Sequence, residues 1–358
     1  MRHDFVHESR PCRVVFAVGA RSRLREEVDR LGLHRLIVVC TPGQAALATE
    51  LTSPLGERVA ELHPHAAMHV PAAVAAKAVA QSREIAADGC LAIGGGSAIG
   101  LAKAVAKATG LPIVALPTTY AGSEMTPVWG LTDAGRKTTG RDPRVLPATV
   151  VYDPQLTVTL PSMLSVTSGM NALAHAAEAL YAPDGSPITA LIAAESARAI
   201  AGALPRVVAD PRDLEARSDA LYGAWLAGSA LGATTMSLHH KLCHILGGTF
   251  GLPHAATHTA VLPHVLAVNL PAAPRARVAL ETALDTGDPA TRLFHLARDL
   301  GAEMSLKRLG MPEDGLATVI DQALAAPYAN PAPITEAGLR HLLGNALTGA
   351  APTSGPPA

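Results

Sequence analysis

The sequence predicts an α/β N-terminal domain built on a parallel sheet, followed by an all-α C-terminal domain. Two observations carry this. In the first half, short β-type runs alternate with helical stretches across glycine-rich joints. Beyond about residue 160, long Ala/Leu-rich segments follow one another with no convincing strand between them. The chain has 358 residues, 49% of them apolar and 16% charged. That is enough for two domains of ordinary size, each with a core.

RVVFAVGA (13–20) and LIVVC (36–40) read as strands, and 70–88 has helical composition and periodicity. GCLAIGGG (89–96) is a strand running into glycines, SAIGLAKAVAKA (97–108) a helix, and LPIVALPTT (111–119) a further strand. Strands this apolar, alternating with helices, imply a parallel sheet covered on both faces. The texture changes near VVYDPQLTVTLP (150–161). Helices are expected at roughly 164–181, 187–207, 213–230, 236–249 and 255–269, with more up to about 348. The domains are therefore placed at 1–157 (dinucleotide-binding α/β) and 158–350 (helical), with APTSGPPA (351–358) a disordered tail.

Composition excludes several function classes. A formal net charge of -1 offers no electrostatic attraction to nucleic acid or anionic membrane, and 3% aromatic residues leave little for base-stacking surfaces. The four cysteines, Cys12, Cys40, Cys90 and Cys243, form no CxxC pair, which fits a reducing compartment. No uninterrupted apolar run reaches the roughly 18–20 residues that span a bilayer. The polar start, MRHDFVHESRP, has no apolar signal core, so a cytoplasmic location is expected.

The strongest feature of the first half is AIGGGSAIGLAKA (92–104). Gly94, Gly95 and Gly96 let backbone approach a pyrophosphate without a Cβ clash, and a helix N-terminus offers free N–H groups. Ser97 stands where an N-cap or a phosphate donor would. The plainer reading is a tight βα turn without a ligand. A second strand end, LPTTYAGSEMTP (116–127), adds the hydroxyls of Thr118, Thr119 and Ser123. Polar groups at two strand ends fit dinucleotide binding beyond those ends. The turn AVGARSRL (17–24) is either a further contact or a plain hairpin or loop. After LIVVC, at Thr41-Pro42-Gly43-Gln44, no acid stands where one would grip an NAD ribose. Thr41 is a cofactor candidate, a 2′-phosphate is not repelled there, and the cofactor is expected to be NADH or NADPH without strict NAD selectivity.

The chain has 15 histidines, and six of them, His239, His240, His244, His254, His258 and His264, fall within 26 residues. Asn171 and His175 are spaced i,i+4 on an expected helix, as are His240 and His244, so each pair shares a face. His254 follows GGTFGLP, a loop long enough to turn back, and Pro253 suits a helix start. A lone helical histidine is usually packed or solvated, but two polar pairs plus His254 in apolar surroundings read as a site. Lys241 lies about 100° around the helix from His240, so it either joins the site or faces solvent. His258 and His264 are taken as packed or outward-facing.

GGGSAIGLAKA, PTTYAGSE, NALAHAAEALY and HKLCHILGGTFGLPHA resemble the iron-containing alcohol dehydrogenase superfamily over nearly the whole chain. KTTGRDPRVLPATVVYDP (137–154), SGMNALAHAAEALYAPD (168–184) and SLHHKLCHILGGTFGLPHA (237–255) are typical of its maleylacetate-reducing branch. The resemblance implies a Rossmann-like N-terminal domain, the dehydroquinate-synthase-like helical C-terminal domain, a cleft between them and a homodimer. Lys137 joins the cofactor-binding candidates.

Metal-dependent relatives hold a divalent ion with one Asp and three His, at positions matching Asn171, His175, His240 and His254. His244 matches an active-site histidine that is not usually a ligand. An amide is a poorer ligand than a carboxylate, so a metal is possible, on His175, His240 and His254, but is not expected to be required. The implied reaction is NAD(P)H-dependent reduction of the C=C bond of maleylacetate to 3-oxoadipate in aromatic catabolism. His175, His240, His244, His254, Asn171 and Lys241 would line the site for this small dicarboxylate. The alternative is a metal-dependent alcohol or aldehyde reductase of the same superfamily. More distant alternatives are a cyclase or lyase on the related fold and a non-catalytic sensor that kept it.

Overall fold

A computed structural model describes residues 5–8, 12–133 and 136–353, without the side chains of 136 and 137. The chain forms two compact units, one spanning Ser9–Leu160 and the other Pro161–Ala358 together with Met1–Glu8. In the second unit the N-terminal segment is tied by His7 Nδ1, 3.1 Å from Ser186 Oγ.

The first unit contains strands β1 (Arg13–Phe16), β2 (Leu36–Val39), β3 (Val59–His63), β4 (Gly89–Gly94), β5 (Ile113–Pro117), β6 (Val128–Asp133), β7 (Arg136–Arg141) and β8 (Thr149–Tyr152). Its α-helices are α1 (Leu24–Arg30), α2 (Ala45–Thr52), α3 (Ala72–Glu84) and α4 (Gly96–Thr109). Six strands make one parallel sheet in the order β1-β8-β5-β4-β2-β3. β2, β4, β5 and β8 are buried along their whole length, which is why β2, β4 and β5 read as unbroken apolar runs. Leu36, Val38, Leu91, Ile93, Val114, Leu116 and Val151 point to one face and share a core with Leu24 and Val28 of α1 and Ala48 of α2.

β2 is followed by β3 on one side, while β4 lies on its other side. The strand order therefore reverses between β2 and β4, and the crevice beyond their carboxyl ends is where such sheets bind ligands. The glycine loop after β4 lies there.

The sequence reading took β8 only as a change of texture, and it did not identify β3 or the antiparallel hairpin β6–β7. β3 is a half-buried edge strand, VAELH, too short and too polar for the apolar-run criterion. The hairpin pairs Val128 with Arg141 and carries mostly polar residues on β7. Neither is a buried strand, so neither leaves an apolar signature.

Helix α4 is fastened to the loop after β5 by Lys103, which is 2% exposed. Its Nζ donates to Ser123 O (2.6 Å), Thr126 O (2.7 Å), Thr126 Oγ1 (3.0 Å) and Val128 O (2.8 Å). Burial pulls its pKa down to about 7, with Glu124 opposing the shift.

The second unit contains α5 (Ser162–Tyr181), α6 (Pro187–Ala209), α7 (Leu214–Gly232), α8 (Leu238–Phe250), α9 (His254–Asn269), α10 (Pro274–Leu284), α11 (Pro289–Asp299), α12 (Leu316–Leu324) and α13 (Glu336–Thr348). Among its described residues no strand occurs. Ser186, Asp213, Asp288 and Thr335 each accept a backbone N–H of the helix they precede, and Gly251 ends α8 in the left-handed region, with Pro253 opening α9. α5 is buried almost throughout and packs on α6, α7 and α9. Close packing needs glycine at Gly169 and Gly223, where a Cβ would come within 2.8 Å of Leu204 and 2.5 Å of Ile200.

α6 is long and apolar enough by length and composition to cross a membrane, although no uninterrupted apolar run marks it. It packs against α5, α7 and α10 through Ala193, Ala197, Ile200, Ala203 and Leu204, while Arg198 and Glu195 pair on its outer face. The tail expected to be disordered is described as far as residue 353. Pro352 is buried, and Thr353 Oγ1 lies 2.7 Å from His341 Nε2, so the tail is held against the unit as far as 353; the rest lies outside the described residues.

Replacing Lys103 with Met removes the donor to Thr126 O and Val128 O, while Ser123 O keeps Thr126 N and Oγ1, and Thr126 Oγ1 keeps Val128 N. With each buried polar group left bare costing about 1–3 kcal/mol, the α/β unit should lose about 2 kcal/mol or more. Urea unfolding followed by Trp129 fluorescence in a Trp225→Phe background measures this, and a loss under about 1 kcal/mol would contradict the cradle's role.

Candidate active site

In the α/β unit, three glycines shape the loop after β4. Gly94 has φ 141°, and a Cβ there would lie 2.4 Å from Gln44 Oε1. A Cβ on Gly95 would come within 2.7 Å of Thr119 Cγ2, whereas at Gly96 the nearest atom is Ala121 Cβ at 4.0 Å. Gly94 and Gly95 thus allow neighbouring loops to close in, and Gly96 leaves an open, exposed backbone face. Gly95, not Ser97, is the N-cap of α4; Ser97 is the second residue inside the helix. No side chain caps this end and no acid lies in its first turn. Its N–H groups and the dipole are left to an anion.

Thr41 and Thr118 are engaged within the protein. Thr41 Oγ1 donates to Gln44 Oε1 (3.1 Å), and Gln44 Nε2 donates to Thr118 Oγ1 (2.8 Å), tying the ends of β2 and β5 together. Thr119 packs beside Gly95, and Ser123 gives its carbonyl to Lys103. Lys137 lies in β7, and its side chain is outside the described residues. The 17–24 turn is no hairpin, because β1 pairs in parallel with β8. Gly19, at φ 80°, leads into a 3₁₀ turn anchored by buried Asp153, which accepts from Gly19 N (2.9 Å) and Arg21 N (3.2 Å).

In the helical unit, α5, α8 and α9 bring Asn171, His175, His240, His244 and His254 into one row with His239 and His258. Asn171 Nδ2 lies 3.2 Å from His175 Nε2, and His175 Nδ1 lies 2.8 Å from His240 Nε2, with the two rings stacked. His240 Nδ1 lies 2.6 Å from Glu178 Oε2. Asn171, His175, His240 and Glu178 are buried, while His244 and His254 are half-exposed. The His244 ring centroid is 6.3 Å from that of His240, and the His254 centroid 4.2 Å from that of His258. Lys241 does not join the row; its Nζ sits 5.6 Å from the Tyr328 ring centroid.

His258 lies at the centre of this group rather than outside it, fully buried, with its ring 5.1 Å from that of His240. Its signal was legible: His254 and His258 are spaced i,i+4 on α9, by the same rule that paired Asn171 with His175. Glu178 was also missed, although it lies three residues after His175 on the face that carries Asn171. His239 Nε2 is 3.0 Å from His258 Nδ1, and both rings are held neutral, well below the usual imidazole range, first by burial and then by neighbouring imidazoles. His264 packs near Phe294, and burial pushes its pKa down to about 4.

Two groups have donors of metal-ligand type. His239, Cys243 and His258 present ligand atoms within 4.8 Å of one another. Ligating histidines normally pass their other N–H to an acceptor, but His239 Nδ1 and His258 Nε2 have none, which argues for a packed imidazole pair. Asn171, His175, His240 and His254 have the outer support that the first group lacks. Glu178 backs His240 from behind, and Asn171 Oδ1 is buried without a protein partner.

Two family profiles match the chain, iron-containing alcohol dehydrogenase over residues 11–154 and the C-terminal region of the Fe-containing alcohol dehydrogenase family over residues 165–347. A maleylacetate reductase of Sphingobium indicum is 55% identical over 98% of this chain and 99% of its own length. One from Burkholderia cepacia is 51% identical with the same coverage. The crystal structure of maleylacetate reductase from Agrobacterium tumefaciens superposes with a TM-score of 0.94 at 47% identity, over 98% of this chain and 100% of that one.

The neutral, buried histidines set a pH dependence of stability. Unfolding returns His239, His258 and His264 to the ordinary value of 6.5. Above it neither state takes the protons. Below it the unfolded chain binds protons that the folded chain refuses, so stability falls by up to about 1.4 kcal/mol per pH unit for each ring. Scanning calorimetry should show the melting temperature of the helical unit declining from about pH 6 downward. A flat profile to about pH 4.5 would rule out neutral burial.

Proposed function

The chain belongs to the iron-containing alcohol dehydrogenase family, and from that premise we propose that it is an NAD(P)H-dependent reductase of the C=C bond of maleylacetate, yielding 3-oxoadipate in aromatic catabolism. The observation that carries this reading is the match to a maleylacetate reductase at 55% identity over 98% of the chain. The imidazole row supports it chemically. Maleylacetate conjugates a ketone to the alkene. Hydride from the nicotinamide adds to the carbon β to the ketone, and the alkene electrons move to the ketone oxygen as an enolate. A proton then reaches the α-carbon. The site must therefore offer N–H donors to a developing oxyanion and an acid for carbon. Half-exposed His244 and His254 stand at the accessible side of the row for these roles, with His175 and His240 behind them. Asn171 turns its amide nitrogen to His175 and orients that ring.

The loop after β4 would take the dinucleotide pyrophosphate on the N-terminus of α4, with Thr119 and the exposed backbone of Gly96 alongside. No acid stands between Thr41 and Gln44 to exclude a 2′-phosphate, so NADPH is accepted as well as NADH. A homodimer in the cytoplasm completes the reading.

The family name implies iron, and the residues fit a divalent ion in kind. His175, His240 and His254 would hold it, with the Asn171 carbonyl oxygen. Such an ion supplies Lewis-acid polarisation of the ketone oxygen when bound. Without a carboxylate the set holds a divalent cation more weakly than one with an aspartate, and an enolate needs less stabilisation than the alkoxide of simple carbonyl reduction. Turnover is therefore expected without added metal. The unpartnered Asn171 Oδ1 favours the second reading, metal-dependent alcohol or aldehyde reduction, if turnover proves strictly metal-dependent.

NAD(P)H oxidation with maleylacetate, with and without chelator, tests both. Activity surviving chelation supports conjugate reduction; strict loss with recovery on Fe²⁺ or Zn²⁺ supports the alternative. His240→Ala and His254→Ala should each lower turnover by at least about tenfold, and near-normal turnover in both would remove the row from the reaction. Asn171→Asp should tighten Zn²⁺ binding by about tenfold or more by calorimetry; unchanged affinity would show that these residues do not form the ion's site.

A further inference from the structure

The hydrogen bonds of the row determine which ring nitrogens carry protons. Glu178 is fully buried, and its carboxylate accepts two backbone N–H groups and faces one imidazole nitrogen. Oε2 takes Ser237 N at 2.8 Å and faces His240 Nδ1 at 2.6 Å, and Oε1 takes His239 N at 2.7 Å. Ser237 is the N-cap residue of α8 and His239 its second residue, so the carboxylate from α5 closes the N-terminus of α8, where a negative charge is favoured.

A carboxylate in this setting only accepts, so His240 carries a proton on Nδ1. In a neutral ring Nε2 is then bare and only accepts. His175 Nδ1, at 2.8 Å, must donate to it, which leaves His175 Nε2 bare in turn. That atom faces Asn171 Nδ2 at 3.2 Å, an amide nitrogen that only donates. Read from either end, the row has the same polarity. An aspartate at position 171 could not supply that donor.

We propose that Glu178 is a positioning residue that fixes His240, and through it His175, with the proton on Nδ1, so that both rings turn a bare Nε2 toward the Asn171 end. The lone pair of His240 Nε2 is taken by His175, so His175 Nε2, at the Asn171 end, is the atom of the pair left to take up a proton, and a ring held in the wrong tautomer loses that function even when its position is kept. Burial of Asn171, His175, His240 and Glu178 keeps water from competing for these bonds. The inference rests on the reductase reading for its functional meaning, but the proton positions can be measured without substrate.

The test is ¹⁵N NMR of the full chain labelled at histidine, with the signals identified by their loss in His240→Gln and His175→Gln. The expected wild-type result is protonated Nδ1 and bare Nε2 on both rings. Glu178→Met, similar in size but without an acceptor, should release His240 into a mixture of tautomers. It should also lower kcat with maleylacetate by at least about tenfold while changing the KM for NADH less than about twofold. A proton on His240 Nε2 in the wild type overturns the proposal whether or not Glu178→Met folds. So does a folded Glu178→Met protein with an unchanged tautomer or an unchanged kcat. If the chain does not reduce maleylacetate at all, the reductase reading fails and the tautomer measurement still decides the role of Glu178.

Discussion

The helical unit's site depends on one carboxylate. Glu178 bridges α5 and α8, accepting two backbone N–H groups at the start of α8 and facing His240. An uncompensated buried carboxylate is costly, and a helix start is left with unsatisfied N–H groups. Each settles the other's cost. The same contact fixes where α8 begins relative to α5, and so where His239, His240 and His244 fall. α9 then closes over them with His254 and His258.

A comparable economy organises the α/β unit. Lys103 gathers three carbonyls and a hydroxyl from the segment that follows β5, so α4 cannot shift without that segment. Gly94 and Gly95 are small because Gln44 and Thr119 occupy the space a side chain would need. The open backbone at Gly96 results from that packing as much as from any demand of a ligand. In both units the polar groups best placed for chemistry are held by buried polar groups that have no direct role in it.

Most of the central sheet and the five long helices from α5 to α9 were legible in the sequence, because buried strands and amphipathic helices leave periodic apolar signatures. β3 and the β6–β7 hairpin were not, since edge and surface strands need little apolar surface. Within the site, Asn171, His175, His240 and His244 were found through i,i+4 spacing. Glu178 was overlooked as one acid on an Ala-rich helix, and His258 as one histidine among six. Ser97 was assigned a capping role that Gly95 takes, because sequence places a helix start only to within a residue or two.

The sequence by itself determined the order of the elements, the glycine loop at a strand end and an aspartate-free histidine set, all of which follow from residue type and local spacing. Only the tertiary structure decided what those residues do to one another. It placed Lys241 beside Tyr328 and His258 amid the row, and it put a carboxylate behind His240. These outcomes depend on how helices from distant parts of the chain meet. Spacing along one helix shows which side chains share a face, but not which face of another helix they will meet.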